Sequence, residues 1–198
     1  MENDDKLINV LKNGGVAILP SDTVYGIFAD ATSEECIKRV DDIKHSNKPH
    51  LIVVSNMEML EKYISEINDL QRKIIDEYWP NTLTILFKKN KLISDELTKG
   101  SEYIAIRMPK NDSLIKLINK VGKPLISSSA NITSKSVITN VNMLESELKD
   151  NVDYIYDGGT LSDVASTIIK VENNKIEFLR EGEISVKIKE SFSEYCWL

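Results

Sequence analysis

The sequence predicts a single-domain α/β protein with a mixed β-sheet. Short apolar runs of strand length alternate with segments of helical period along nearly the whole chain. Turn or helix-stop signals separate them, as Asn13-Gly14 and Gly122-Lys123-Pro124 do. No internal repeat and no Pro/Gly/Ser-rich linker divides the sequence, so we expect one domain over residues 1–198.

Helices are predicted where apolar residues recur at helical spacing behind a capping residue. Thr32 or Ser33, followed by two acidic residues, is typical of a helix N-terminus, and Asn111 or Asp112 opens a second helix in the same way. The predicted helices lie within residues 6–12, 32–43, 57–63, 67–78, 111–121 and 142–149. For the tail, residues 183–198, we expect a terminal helix.

Strands are predicted where an apolar run ends at proline, glycine or a polar cluster. They lie at residues 16–19, 51–54, 83–87, 103–107, 125–126, 152–156, 165–171 and 175–179. The last two form a hairpin across Glu172-Asn173-Asn174. Because helices and strands are interleaved, the sheet is expected to be mixed and to be flanked by helices.

The chain is organised around residues 14–26. A glycine pair ends the first helix, an apolar run follows, and Pro20 ends that strand because it has no N–H group. Ser21, Asp22 and Thr23 come next, at the point where open α/β sheets place their ligands. Two interpretations stay open from this stretch alone: a ligand site, or a polar turn that caps the next element.

Composition limits the classes of protein that fit. With 41% hydrophobic and 28% charged residues, the chain is globular. A net charge of −6 argues against a main role in coating nucleic acid, which needs an excess of Lys and Arg. No apolar run approaches the roughly 18 residues of a membrane span, the acidic N-terminus does not resemble a signal peptide, and Cys36 and Cys196 form no disulfide framework. We therefore expect a cytoplasmic protein that does not associate with membranes.

Polar groups follow four predicted strand ends and one helix end. They are Ser21, Asp22 and Thr23; Arg107; Ser127, Ser129 and Asn131; Ser166 and Thr167; and Lys44, Ser46 and Lys48. If these groups converge, they form a cleft for phosphate and carboxylate groups, suited to nucleotidyl or phosphoryl transfer. Taken singly, each could be a surface ion-pair partner or a polar loop.

Other common site types are not indicated. His45 and His50 have no third ligand nearby, so no protein-bound metal site is predicted. The sequence contains neither a Gly-x-x-x-x-Gly-Lys phosphate loop nor a dinucleotide-binding glycine fingerprint. Neither cysteine has a convincing base partner for nucleophilic catalysis.

Seven segments resemble, in order, the motifs of the YrdC-like, TsaC-type L-threonylcarbamoyladenylate synthase family. They are residues 20–26 (PSDTVYG), 79–84 (WPNTLT), 104–109 (IAIRMP), 124–131 (PLISSSAN), 157–159 (DGG), 166–169 (STII) and 179–182 (LREG). The resemblance spans about residues 14–182, and it is specific because all seven motifs occur in the order that the family has. It implies the short, single-domain form of the family, a twisted mixed sheet with a concave ligand-binding face.

The resemblance also implies a reaction. L-threonine, bicarbonate and ATP would give threonylcarbamoyl-AMP and pyrophosphate, with Mg²⁺ accompanying the ATP. A partner complex would then transfer the threonylcarbamoyl group to an adenosine of tRNA, and weak contact with tRNA is possible in such a system. By motif, the threonine-binding residues are Thr23, Arg107, Ser127 and Ser166. The ATP-binding residues are Lys44, Ser46, Lys48, Ser129, Asn131 and Arg180, of which Lys44, Ser129 and Asn131 are the implied catalytic residues.

The sequence departs from the family pattern between Lys44 and Pro49. The family has Lys-x-Arg there, and Ser46 stands where the arginine belongs. Serine cannot supply a charged, planar fork, so Lys48 or His45 would have to cover the phosphates. Two alternatives therefore remain: a YrdC-like paralogue that binds RNA or a nucleotide without synthase activity, and the carbamoyl-adenylate chemistry of hydrogenase-maturation carbamoyltransferases, whose chains are much longer and rich in zinc-finger-like cysteines.

Overall fold

The computed structural model describes residues 1, 4–133 and 135–196. Its strands form one sheet in the order β7-β1-β2-β6-β3-β5-β4-β8-β9. The strands are β1 (Ala17–Pro20), β2 (Tyr25–Asp30), β3 (Leu51–Val53), β4 (Leu83–Lys88), β5 (Tyr103–Arg107), β6 (Leu125–Ser129), β7 (Tyr154–Ile155), β8 (Thr167–Glu172) and β9 (Lys175–Arg180). Three neighbouring pairs are parallel, β1/β7, β3/β5 and β4/β8, and the other pairs are antiparallel. The predicted mixed sheet is confirmed.

Helices flank the sheet. They are α1 (Asp5–Lys12), α2 (Glu34–Lys44), α3 (Met57–Tyr63), α4 (Asp69–Tyr78), α5 (Asp95–Thr98), α6 (Asp112–Val121), α7 (Ser146–Asn151) and α8 (Ser185–Ser191). Ser33 and Asn111 are the N-caps of α2 and α6, and each side chain accepts a hydrogen bond from a backbone N–H of the first turn. None of the described helices is long and apolar enough to cross a membrane.

The sheet buries both of its faces, but not equally. Alternate residues of β1 and β2 enter opposite clusters, because successive side chains of a strand point to opposite faces. One cluster packs against α2, α3, α4 and α8, while the other packs against α1 and α6. On the α1/α6 face, Leu51, Leu86 and Ala105 remain only half-buried. The helices thus leave part of this face open, and the site lies there.

Strand β2 is absent from the sequence prediction, which placed only a turn after Pro20. In the structure Pro20 is the last residue of β1 and pairs with Tyr25, so residues 21–24 are a hairpin turn. All six residues of β2 are buried. A strand that is buried on both faces shows no polar alternation, and β2 is defined by its pairing with β1 and β6.

Other differences concern local boundaries. The strand predicted at residues 125–126 continues through the serines to Ser129, because these residues pair with β2. The polar connection after β4 contains the short helix α5, which Ser94 caps. The helix predicted at residues 142–149 is instead a 3₁₀ turn at Val141–Met143 followed by α7. The expected terminal helix is α8, and the end of the predicted tail, Trp197 and Leu198, lies outside the described residues.

Candidate active site

A cavity of about 350 Å³ opens on the uncovered part of the α1/α6 face. Six residues that the resemblance assigned to the two substrates line it together: Thr23, Arg107, Ser127, Ser129, Ser166 and Arg180. They come from the β1–β2 turn, the ends of β5, β6 and β9, and the residue before β8. The strand ends therefore converge as expected, and the cavity combines two guanidinium groups with several hydroxyls.

Strand register explains why these side chains share one face. Arg107 is the register partner of Val53 in β3 and of Thr84 in β4, and Ser127 lies opposite Phe28 in β2. Val53 and Phe28 belong to the cluster on the α1/α6 face. Directly paired residues point to the same side of a sheet, so Arg107 and Ser127 face the cavity.

Arg107 is the most deeply buried cation of the cavity, only 4% exposed. Its Nη2 lies 3.4 Å from Oδ1 of Asp22, which is a loose ion pair. Among the residues that the structure describes, neither its Nε nor Oδ1 of Asp22 has a hydrogen-bond partner. Burial lowers the pKa of Arg107, and the charge of Asp22 partly offsets that effect. A buried guanidinium with free donors is a site for an anion, above all a carboxylate.

The β1–β2 turn is held by its own hydroxyl groups. Ser21 Oγ donates to the Val24 carbonyl at 2.7 Å and accepts from the Thr23 N–H at 3.0 Å. Ser21 Oγ and Thr23 Oγ1 lie 2.9 Å apart, and both residues are buried. Ser21 therefore shapes the turn, and both Ser21 and Thr23 line the cavity.

Ser166 and Arg180 form one unit. Arg180 Nε donates to the Ser166 carbonyl at 2.8 Å, and Arg180 Nη2 donates to the Ser166 hydroxyl. Burial lowers the pKa of Arg180, and the positive charge of Arg107 lowers it further. The family motifs assigned Ser166 to threonine binding and Arg180 to ATP binding. Because these two residues are hydrogen-bonded to each other, the two assigned subsites are contiguous.

Lys44 lies at the end of α2, and its ammonium group points into the protein. Nζ donates to the Asn131 carbonyl at 2.8 Å and to the Ser129 carbonyl, so Lys44 fixes the chain just beyond β6. The backbone carbonyl of Lys44 accepts from Thr133 N and Oγ1, which ties the same loop to α2. No described carboxylate pairs with this ammonium group, and burial lowers the pKa of Lys44 to about 8.

The Lys44→Met variant is expected to change how stability depends on pH. Between pH 8 and 10.5 the unfolded wild type holds a proton on Lys44 that the folded protein has lost, so wild-type stability rises with pH in that range. Below about pH 8 the folded protein also holds the proton, so the stability gained from the unprotonated Lys44 is lost. Relative to the variant, the wild type should gain about 3 kcal/mol from pH 7.5 to 10.5, measured by urea unfolding at both pH values. Parallel pH dependences of the two proteins would contradict a buried, titrating Lys44.

The remaining predicted ATP-binding residues lie outside the main cavity. Ser46 is half-buried and Lys48 is exposed, and neither lines the cavity, although Pro49 and His50 do. His45 pairs with Glu147 at 2.7 Å at the surface. Asn131 Nδ2 donates to the Ile132 and Lys135 carbonyls, so the side chain shapes its own loop. Asn131 also lines a second cavity of about 430 Å³ with Lys135, Ser136 and Met143.

Two further residues shape the site: Asp22, which was expected among the polar groups of the cleft but was assigned no partner, and Tyr25, which was assigned no role. Asp22 is the counter-ion of Arg107, and its Oδ2 also accepts from the Lys110 N–H at 3.0 Å. A carboxylate placed directly after one strand, facing an arginine at the end of another, is the signal that could have revealed it. Tyr25 is fully buried, and its hydroxyl donates to the Gly159 carbonyl and accepts from the Gly158 N–H. It holds the Asp157-Gly158-Gly159 turn beside β2.

The described residues contain no group of three or more His, Cys, Asp or Glu side chains placed to hold a metal ion. His50 Nε2 instead lies 2.8 Å from Asp41 Oδ1, and Asp41 also pairs with Lys99. Burial lowers the pKa of His50, although the hydrogen bond to Asp41 opposes this effect. This buried pair connects α2, α5 and the start of β3 below the cavity.

Comparison with known proteins gives consistent results. A family model described as "Telomere recombination", which covers Sua5, YciO and YrdC proteins, matches residues 9–182. A putative threonylcarbamoyl-AMP synthase of Methanocaldococcus jannaschii is 39% identical and aligns over 94% of this chain and 90% of its own length. The threonylcarbamoyl-AMP synthase of Pyrococcus abyssi is 29% identical over 89% of this chain, which spans only 53% of that protein.

Solved structures show the same architecture. The crystal structure of Pyrococcus abyssi Sua5 complexed with L-threonine superposes with a TM-score of 0.89 at 27% identity, over 96% of this chain and 57% of that one. Escherichia coli YciO superposes with a TM-score of 0.80 at 20% identity, over 91% of this chain and 90% of that one. At this identity the comparison supports only a shared fold. From the family match, the identity to its relatives and the shared fold, we conclude that this chain belongs to the Sua5/YciO/YrdC family.

Proposed function

We propose that this protein is a threonylcarbamoyl-AMP synthase. The observation that carries the proposal is the Arg107 guanidinium, buried in a hydroxyl-lined cavity with free donors. A relative that is 29% identical to this chain is named threonylcarbamoyl-AMP synthase, and the 39%-identical relative is named a putative one. A carboxylate bound to Arg107 would satisfy those donors bidentately. The L-threonine complex of a structural relative supports threonine as the molecule that supplies it.

The reaction has two steps. The neutral amine of L-threonine attacks the carbon of bicarbonate, and water leaves, which gives the N-carboxylate of threonine. An oxygen of this carboxylate then attacks the α-phosphorus of ATP, and pyrophosphate leaves from the opposite side. Both steps bring together molecules that carry negative charge, so the protein's main contribution is to position them and to balance their charge.

The residues divide between the two substrates. Arg107 binds the threonine carboxylate, with Thr23, Ser127 and Ser166 as neighbouring hydrogen-bonding groups. Ser129 and Arg180 lie on the nucleotide side of the same cavity, and the second cavity at Asn131 offers space for the rest of the nucleotide. Lys44 fixes the chain between the two cavities through its two carbonyl contacts. ATP would enter as its Mg²⁺ complex. Lys48, on the exposed loop beside Pro49, is the candidate cation for its phosphates.

Ser46 favours a second candidate function. Because this position lacks the cation that the family motif carries, a paralogue that binds a nucleotide or RNA without forming the adenylate is the alternative. Under the synthase proposal, the product passes to a complex that modifies tRNA. The protein would then work in the cytoplasm, with no more than weak contact to tRNA itself.

Pyrophosphate release tests the proposal. Purified protein with ATP, Mg²⁺ and bicarbonate should release pyrophosphate only when L-threonine is added, and mass spectrometry should detect threonylcarbamoyl-AMP. L-serine and a reaction depleted of bicarbonate are the matched controls. ATP binding without threonine-dependent pyrophosphate release would support the paralogue instead.

A further inference from the structure

The described residues that line the main cavity include a single carboxylate, Asp163. It lies in the irregular segment before β8, three residues ahead of Ser166, and its side chain is exposed at the mouth of the cavity. Val164 and Ala165, which also line the cavity, connect it to Ser166. Asp163 therefore lies close in the chain to Ser166, which is assigned to threonine binding.

Asp163 has no ion-pair or hydrogen-bond partner among the described side chains, although two arginines line the same cavity. Arg107 is directed to Asp22, and Arg180 is directed to Ser166. Both guanidinium groups that line the cavity are thus directed to other residues, and the exposed carboxylate of Asp163 pairs with neither. In this cavity it is left free for a cation that comes from outside.

The proposed substrate carries such a cation. Free threonine is a zwitterion, and Arg107 accounts for its carboxylate but not for its ammonium group. Hydroxyl groups of Thr23 and Ser127 can accept hydrogen bonds, but neither residue carries a charge opposite to that of the ammonium. A carboxylate is the group that recognises an ammonium most strongly.

We infer that Asp163 binds the amino group of the substrate amino acid and selects for amino acids over hydroxy acids. The inference rests on the proposed function and deepens it. Asp163 and Arg107 then supply opposite charges to opposite groups of one small molecule. The exposure of Asp163 also lets solvent reach the amino group, which must lose a proton before it attacks bicarbonate.

Titration calorimetry with two matched ligands tests this inference. The first is L-threonine, and the second is its analogue with a hydroxyl in place of the ammonium, (2S,3R)-2,3-dihydroxybutanoate. The Asp163→Asn variant should bind threonine about tenfold more weakly, as expected for a lost hydrogen bond to a charged group, and should bind the hydroxy acid as the wild type does. Asp76→Asn removes an exposed carboxylate of α4, outside the cavity, and should change neither affinity.

The outcomes separate this inference from the proposed function. If wild type does not bind threonine at all, the proposed function fails, and this inference fails with it. If wild type binds threonine and Asp163→Asn keeps the same preference over the hydroxy acid, only the role of Asp163 is overturned. The role of Asp163 in binding the ammonium group is also contradicted if Asp163→Asn keeps its affinity for threonine but needs more Mg²⁺ to bind ATP. That result would indicate that the carboxylate binds the metal ion.

Discussion

Replacing Arg107 by methionine should weaken threonine binding by about 10²- to 10³-fold. The guanidinium is 4% exposed, and no other described cation in the cavity is so deeply buried. Methionine fills much of the same volume but offers no donor to a carboxylate. Calorimetry with L-threonine and with ATP should show that threonine binding is lost while ATP binding largely survives.

Two further variants control for folding and for charge alone. Arg107→Lys keeps the charge without the planar fork, so threonine affinity should be only partly restored. In Arg107→Met, the buried Asp22 loses its counter-ion, so the Asp22→Asn/Arg107→Met double variant should unfold at a higher urea concentration than Arg107→Met alone. Equal loss of threonine and ATP binding in Arg107→Met would contradict the division of the site between the two substrates.

Replacing Gly182 by alanine should destabilise the protein by about 3 kcal/mol and also impair the site. A Cβ atom at Gly182 would lie 2.4 Å from the Ala165 carbonyl oxygen and 2.5–2.6 Å from backbone atoms of Ser166 and Thr167. These are backbone atoms at the start of β8 and cannot turn aside as a side chain could. Relief of the clash must displace Ser166, so threonine affinity should fall together with stability.

Gly100→Ala is the matched control. Gly100 has φ +80° with open space around its Cα, so alanine there meets backbone strain but no neighbouring atom. We expect it to cost about 1 kcal/mol and to leave threonine affinity unchanged. Urea unfolding and calorimetry on both variants provide the comparison, and a Gly182→Ala protein with wild-type stability and affinity would show that this close packing is not required.

Much of the secondary structure could be predicted because local chemistry determines it. Ser33 and Asn111 cap helices in the way their side chains suggest, and Asn173 and Asn174 adopt positive φ in the predicted hairpin turn. Strand β2 could not be predicted in this way. Its residues form a short apolar run without polar alternation, interrupted by Gly26 and directly after a polar turn, and the sequence prediction passed over it. Their extended conformation is fixed by partners on both sides.

The candidate site divides along the same line. Motif order and residue type identified Thr23, Arg107, Ser127, Ser129, Ser166 and Arg180, and the structure brings all six together in one cavity. The positions of Lys44, Ser46 and Lys48 could not be predicted, because the direction of a side chain at the end of a helix depends on what packs against it. Lys44 turns inward to two backbone carbonyls that lie more than eighty residues away in sequence.

The sequence by itself determined the α/β class, the alternation of helices and strands, the family resemblance and the residue types of the site. The class and the alternation follow from periodicity, capping and turn chemistry, which act over a few residues. The family and the roles of the site residues follow from motifs that resemble those of a known family. Only the tertiary structure decided that Asp22 faces Arg107, that Arg180 contacts Ser166 and that Asp163, at the cavity mouth, has no partner among the described side chains. Each of these depends on distances between separate segments, which are set by strand register and by the packing of loops on the sheet.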